Sequence, residues 1–86
     1  TEFGWAVGPA VNNNYGYAND NSRDEQARWT VEFYQWMKST GYDGVAFLWN
    51  LNFSMTNPGT ELMQWSIVDQ GGSPTQTYNA LQAMPK

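Results

Sequence analysis

One continuous apolar run stands out in the sequence, Val45-Ala46-Phe47-Leu48-Trp49. A strand with one solvent-exposed face would alternate between apolar and polar residues, and this run does not alternate. Strands that are covered on both faces have such a pattern, and they are typical of parallel sheets with helices packed on them. The run therefore predicts a buried parallel strand over residues 45–49.

A second strand is predicted at the first residues of the sequence, Thr1-Glu2-Phe3-Gly4-Trp5. This stretch has the pattern of a strand end that carries a carboxylate and continues into a glycine-containing loop. In parallel (β/α) folds, catalytic groups lie where a strand ends and its loop begins. Glu2 is therefore the leading candidate for a catalytic residue, and its position suggests the end piece of a larger enzyme.

A helix is predicted between the two strands. Ser22-Arg23-Asp24-Glu25 forms a capping box, in which Ser22 and Glu25 satisfy each other's backbone N–H groups. Gly41 ends the helix, because glycine is favoured just after the last turn. One polar stripe recurs at helical spacing: Arg28, Glu32, Gln35 and Ser39. Apolar residues cover most of the remaining circumference, so we expect cover on about two sides, with Trp29 and Trp36 as core residues.

Long polar loops follow each strand. Residues 6–21 are rich in Asn, Gly and Asp, which favour turns, and residues 50–59 are similar. A short helical turn is expected at 61–67, and Asp69 is expected to cap its own glycine-rich turn. A second capping box, Ser73-Pro74-Thr75-Gln76, is expected to start a last helix that ends before Pro85.

The order of elements is therefore strand end, long loop, helix, strand, long loop, helix. It predicts an α/β fold made of two βα units, with the strands parallel and the helix at 23–39 crossing between them right-handedly. Loops that are long only after the strands are typical of folds whose active site lies at the carboxyl ends of parallel strands.

Composition excludes several classes of function. Eight acidic and four basic residues give a formal net charge of -4, and the basic residues are scattered. A nucleic-acid partner needs a clustered basic face and is not expected. The absence of His and Cys excludes Ser-His and Cys-His nucleophile systems and zinc sites of the Cys/His type. Because His and Cys are absent, any acid or base chemistry is expected from carboxylates, with tyrosines as a remote second choice. No metal or other cofactor is expected, and no apolar run is long enough to span a membrane.

Aromatic residues are unusually frequent, with five Trp, five Tyr and four Phe. Rings with apolar faces and polar edges are suited to stacking on sugars, although packing is the alternative for each ring. Tyr15 and Tyr17 are candidates for outer sugar-binding positions or for exposed loop rings. Glu61 is a second loop carboxylate and a weaker candidate for a hydrogen bond to substrate.

Three stretches together resemble the clan A glycoside hydrolases, retaining enzymes on the (β/α)8 (TIM) barrel such as families 5 and 39. Thr1-Glu2-Phe3-Gly4-Trp5 is similar to the strand-seven nucleophile motif of these enzymes, and Phe47-Leu48-Trp49-Asn50 resembles their strand eight. Trp65-Ser66-Ile67-Val68-Asp69, followed by Gly72-Ser73-Pro74 and Tyr78-Asn79-Ala80-Leu81, is similar to the run that leads into their last helix. Ser66 departs from the family pattern, which often has Gly there.

The resemblance implies that residues 1–86 are the C-terminal quarter of one TIM-barrel domain: the end of strand seven, helix seven, strand eight and helix eight. It implies that Glu2 is the nucleophile and that Trp49 stacks on the sugar next to the cleaved bond. Trp5 and Asn50 are implied as further substrate-binding residues, beside Tyr15 and Tyr17. The acid/base Glu is expected upstream of Thr1.

Carbohydrate substrate and the remainder of the barrel, or copies of this chain, are the partners that the resemblance implies. It also implies a secreted or extracellular protein that cleaves β-linked glycosides or polysaccharides. The 86 residues alone are expected to be inactive. The alternative is a non-catalytic carbohydrate-binding or scaffold piece that uses the aromatic rings without hydrolysis.

Overall fold

The computed structural model describes residues 2–41 and 46–85, which form a small mixed α/β structure. Two strands, β1 (Glu2–Phe3) and β2 (Phe47–Leu48), are accompanied by three α-helices: α1 (Arg23–Ser39), α2 (Phe53–Thr56) and α3 (Gln76–Ala83). Two 3₁₀ helices lie in the loops that follow the strands, at Asn13–Asp20 and Glu61–Trp65. In the described ranges, no helix has the length and apolar character needed to cross a membrane.

The two strands pair in parallel, as predicted. Glu2 lies opposite Phe47 and Phe3 lies opposite Leu48. The N–H of Trp49 extends the ladder by donating to the carbonyl oxygen of Phe3 at 2.8 Å. The predicted strand was longer than the observed one, since the chain bends at Trp49 and Val45 lies outside the described residues.

The sheet is covered on one face in this chain. Phe3 stacks on Phe33 of α1, with ring centroids 4.1 Å apart, and meets Tyr34 edge to face. Because side chains alternate along a strand, Glu2 and Phe47 belong to the other face. Phe47 is 59% exposed, so the expectation that both faces of the second strand are buried is wrong within residues 2–41 and 46–85.

Helix α1 begins and ends where the sequence predicted. Ser22 Oγ accepts a hydrogen bond from the Glu25 N–H, and the Ser22 N–H donates to the Glu25 carboxylate. Gly41 follows the C-cap with φ 71°, a conformation that favours glycine. The predicted polar stripe is exposed at all four positions. The core position predicted for Trp36 is wrong within the described residues, because its ring contacts Phe33 yet stays 60% exposed.

A buried polar side chain joins α1 to its neighbours. Gln26 is 1% exposed, and its Nε2 donates to the Trp5 carbonyl oxygen at 2.9 Å. Its Oε1 accepts from the Thr77 hydroxyl of α3 at 2.7 Å. Leaving such a buried amide without partners would cost about 1–3 kcal/mol per group, so Gln26 fixes the position of α3 and of the loop after β1 relative to α1.

Two local predictions need correction. Helix α3 starts at Gln76 with Thr75 as its N-cap and no side-chain capping bond, so the second capping box does not form. Instead, Pro74 pairs with Val68 in an isolated bridge, and the Thr75 hydroxyl donates to the Ile67 carbonyl oxygen. The predicted 50–59 loop contains one helical turn, α2. The Ser54 hydroxyl of this turn donates a hydrogen bond to the hydroxyl of buried Ser66, which joins α2 to the segment after the second 3₁₀ helix.

Two other local predictions are confirmed. A helical turn lies at Glu61–Trp65, within the predicted range. Asp69 caps its glycine-rich turn, since its Oδ1 accepts from the N–H groups of Gly71 and Ser73, both at 2.9 Å.

Gly4 allows the two strands to converge at their carboxyl ends. A Cβ at this position would clash with the carbonyl oxygen of Trp49 and would lie 3.3 Å from the Trp65 ring. The backbone oxygen cannot move without breaking the ladder beside it. Therefore only glycine, which has no Cβ, lets the backbone at position 4 come this close to the backbone of Trp49.

We expect Gly4→Ala to lower the free energy of unfolding by about 1–3 kcal/mol, because it overpacks a site next to backbone. Urea unfolding followed by tryptophan fluorescence measures the change. The matched control is Gly16→Ala, since a Cβ on Gly16 meets no atom within 4 Å; it should stay within about 0.5 kcal/mol of the parent. Equal effects of the two substitutions would contradict the packing argument.

Candidate functional site

The loops that follow β1 and β2 leave the sheet at the same edge, because the strands are parallel, and they are joined there. The Val7 N–H donates to the Gln64 carbonyl oxygen at 2.8 Å. The Val11 N–H donates to the side-chain Oε1 of Gln64 at 2.6 Å, and Gln64 is buried. The 3₁₀ helix Glu61–Trp65 is thereby held against the start of the first loop.

Five aromatic rings from these loops form a continuous row, which we call the aromatic wall: Tyr15, Tyr17, Trp65, Trp49 and Phe53. Neighbouring centroids along this row are separated by 6.4, 6.4, 5.7 and 5.4 Å. The contacts are edge-to-face or tilted, arrangements that favour aromatic pairs. Tyr17 is 47% exposed and the other rings are half-buried, so the wall combines packing with accessible ring surface.

Glu61 connects the two loops within this wall. Its Oε1 accepts a hydrogen bond from the Tyr17 hydroxyl at 2.7 Å and another from Trp65 Nε1 at 2.9 Å. Glu61 and Trp65 belong to one helical segment, whereas Tyr17 comes from the first loop. The hydrogen bond to the Glu61 carboxylate, together with desolvation and the negative charge of that carboxylate, raises the pKa of Tyr17 to about 12.

Glu2 lies on the open face of the sheet beside this wall. It is exposed and paired with Phe47. Gly4, two residues further along the same side of the chain, is the position that contacts Trp49 and Trp65. Residues two apart along an extended chain are separated by about 7 Å, so the Glu2 backbone lies close to the wall.

Asn50 has a structural role in this fold. Its side chain is 7% exposed, its Oδ1 accepts from the Phe53 N–H at 3.0 Å, and its Nδ2 donates to the Leu62 carbonyl oxygen at 3.3 Å. These bonds organise the loop after β2 and occupy the amide within the protein. The substrate-binding role of Asn50 stays a prediction. The peptide bond between Trp49 and Asn50 is cis.

The ring of Trp5 packs against a different set of aromatic rings from those of the aromatic wall. Its ring meets Phe3, Trp29 and Phe33, with centroids 5.9, 6.1 and 6.5 Å apart. A shallow groove of about 270 Å³ on α1 is lined by Trp5, Trp29, Glu32, Phe33 and Trp36. The contacts of Trp5 are those of a packing residue, and its role in substrate binding remains a prediction.

The structure thus places three of the aromatic candidates, Trp49, Tyr15 and Tyr17, in one row of rings, and Glu2 on the strand that leads to it. Sequence reasoning missed the central place of Trp65 in the wall and its bond to Glu61. The available signal was the spacing of four residues between these two, which would place the side chains on the same side of an α-helical turn; the observed turn is 3₁₀.

Comparison of the chain with protein-family models, with curated proteins and with solved structures found no match. The site is therefore interpreted from its own residues and geometry.

We expect Glu61→Gln to lower the pKa of Tyr17 from about 12 toward its ordinary value of 10.0, because an amide oxygen accepts a weaker hydrogen bond than a carboxylate and carries no charge. Ultraviolet titration of the phenolate measures the shift, and Tyr17→Phe identifies which titration step belongs to Tyr17. The raised pKa stabilises the fold below about pH 10, and this contribution is lost as pH rises through about 12. An unchanged Tyr17 titration in Glu61→Gln would contradict the assigned cause.

Proposed function

We propose that this chain forms the last two βα units of a (β/α)8 barrel and supplies the nucleophile of a retaining glycoside hydrolase that acts on β-linked glycosides. The observation that carries the proposal is the position of Glu2. Glu2 is an exposed residue of a parallel strand, on the face opposite α1, and two residues before Gly4, where a Cβ would meet Trp49 and the ring of Trp65. Active sites of (β/α)8 barrels are built at the carboxyl ends of the strands.

The open sheet face supports the barrel arrangement. In a closed barrel, the face opposite the helices points into the interior, where neighbouring strands cover it. Phe47 lies on this face and is 59% exposed here. Trp36, on the outside of α1, is 60% exposed and would be covered by a neighbouring helix. Both exposed rings are therefore accounted for by additional βα units packed against this chain.

Glu2 would act by covalent catalysis. Its carboxylate oxygen attacks the anomeric carbon while the bond from that carbon to the leaving oxygen breaks, and a second carboxylic acid about 5–5.5 Å away gives its proton to the leaving group. Water, deprotonated by the same second group, then cleaves the glycosyl ester and regenerates Glu2. The resemblance assigns the second carboxyl group to a residue upstream of Thr1, within the rest of the barrel.

Binding without hydrolysis is the second candidate function. It is favoured by one observation, that the aromatic wall is organised by Glu61 and by loop contacts that do not involve Glu2. A wall of this kind could hold a glycan in a protein that performs no chemistry. Under either function the partner is a carbohydrate, and we propose an extracellular location on the resemblance alone.

We expect Glu2→Gln in the full-length protein to abolish hydrolysis of aryl β-glycosides, from a turnover of order 10 s⁻¹, and to leave glycan affinity largely intact. The amide keeps the size of the side chain but is a poor nucleophile. Steady-state kinetics and calorimetric binding measure the two quantities.

The matched control is Glu32→Gln, which makes the same charge change on the exposed stripe of α1. It should retain full turnover. Full activity in Glu2→Gln would contradict the assignment of Glu2 as the nucleophile. Glycan binding without hydrolysis in the parent protein would favour the second candidate function, binding alone.

A further inference from the structure

We infer that Gln26 of α1 is a positioning residue for Glu2, because its buried amide fixes the backbone just beyond the strand that carries Glu2. The inference rests on the proposed function, since it names a further residue on which the reaction of Glu2 depends. Gln26 belongs to the helix that covers the other face of the sheet, and it acts through the backbone carbonyl group of Trp5.

The backbone after Glu2 passes from the strand into its most adaptable residue. The ladder between the strands ends with the hydrogen bond from the Trp49 N–H to the Phe3 carbonyl oxygen at 2.8 Å. Gly4 follows, and glycine has more backbone freedom than any other residue. Just beyond it, the Trp5 carbonyl oxygen accepts a hydrogen bond from Gln26 Nε2 at 2.9 Å. This bond therefore fixes the far side of the adaptable position.

The Gln26 amide is itself held in one orientation. A carbonyl oxygen can only accept, so the amide NH₂ group must face Trp5, and Oε1 is left to accept from the Thr77 hydroxyl of α3 at 2.7 Å. Gln26 is 1% exposed and directly follows the capping box of Ser22 and Glu25, which anchors the start of α1. The donor to Trp5 is consequently carried by a rigid element, as support for a reacting group requires.

The position of a nucleophile decides its rate of attack. Reacting atoms must approach to about 3–3.5 Å in the correct direction, and a displacement of about 1 Å caused far from the reacting atoms can cost about 100-fold in rate. Side chains alternate along the chain, so Phe3 and Trp5 face α1 while Glu2 and Gly4 face the open side. Loss of the Gln26 bond would let the chain shift at Gly4 and move Glu2, without altering the hydrogen bonds within the aromatic wall.

Gln26→Met in the full-length protein tests the inference, because methionine has nearly the same size and shape but cannot donate to Trp5. The substrate would be an aryl β-glycoside with a poor leaving group, so that attack by Glu2 limits the rate. We expect kcat to fall at least about tenfold and KM to change less than about threefold. The rate of labelling of Glu2 by a 2-fluoro β-glycoside should fall in parallel.

Thr77→Val is the matched control. It removes the other hydrogen bond of the Gln26 side chain and keeps the donor to Trp5. Both variants leave a buried polar group unpaired, so both should lower Tm. Below the unfolding transition, however, Thr77→Val should keep kcat within about twofold of the parent. A merely structural Gln26 would lower Tm in both variants and leave kcat unchanged in both.

Gln26→Glu gives a second readout that does not depend on the methionine variant. Burial favours the neutral acid, whose O–H can donate to Trp5 while its other oxygen accepts from Thr77, as the amide does. We expect the ratio of its kcat to that of the parent to approach one as pH falls and to decrease as pH rises. Taking the ratio cancels the titration of the groups that both proteins share.

Unchanged kcat in folded Gln26→Met, or a ratio for Gln26→Glu that stays at one across the pH range, would overturn the inference. If Glu2 of the parent protein is labelled in that case, the proposed function stands. Hydrolysis by a parent protein whose Glu2 takes no label would overturn the proposed function, and the role of Gln26 with it.

Discussion

The parallel pairing of β1 and β2 is the constraint on which the rest of the structure depends. It is short, with two paired positions and one further hydrogen bond from Trp49 to Phe3. Because the strands are parallel, both following loops emerge at one edge, and the absence of a side chain on Gly4 lets them meet. Without this convergence, Tyr17 of one loop could not reach Glu61 of the other.

Polar contacts, more than apolar packing, fix the elements around this pair. Gln26 and Thr77 are fully buried and join α1 to α3. The Asn50 side chain makes hydrogen bonds within the loop after β2. The Gln64 side chain joins that loop to the loop after β1. Among the described residues, one face of the sheet is covered and the apolar core is limited, so buried amides contribute much of what positions the loops. The Gln64 amide is bonded through its Oε1, whereas its buried Nε2 has no hydrogen-bond partner in the described part of the chain. The site is consequently held by residues that have no part in its proposed chemistry.

The sequence predicts the parts of this fold that local chemistry determines. The capping box at Ser22 and the glycine at 41 mark α1 correctly, and the apolar run at 45–49 marks the second strand. Tertiary context decides the rest. Ser73-Pro74-Thr75-Gln76 has the pattern of a cap, yet pairing of Pro74 with Val68 takes precedence. The bond between Tyr17 and Glu61 joins residues 44 positions apart, and no local pattern encodes such a contact. The parallel pairing of Glu2 with Phe47 was expected from the order of the elements, whereas the burial of Asn50 was not.

Chemical trapping tests the central claim most directly, namely that Glu2 is presented at this edge as a nucleophile. The full-length protein would be incubated with a 2-fluoro β-glycoside carrying a good leaving group, digested with pepsin and analysed by tandem mass spectrometry. The account predicts one fluoroglycosyl group per protein, attached to Glu2 in the peptide that contains Phe3 and Gly4. A label on another carboxylate, or continued hydrolysis with no label on Glu2, would contradict it.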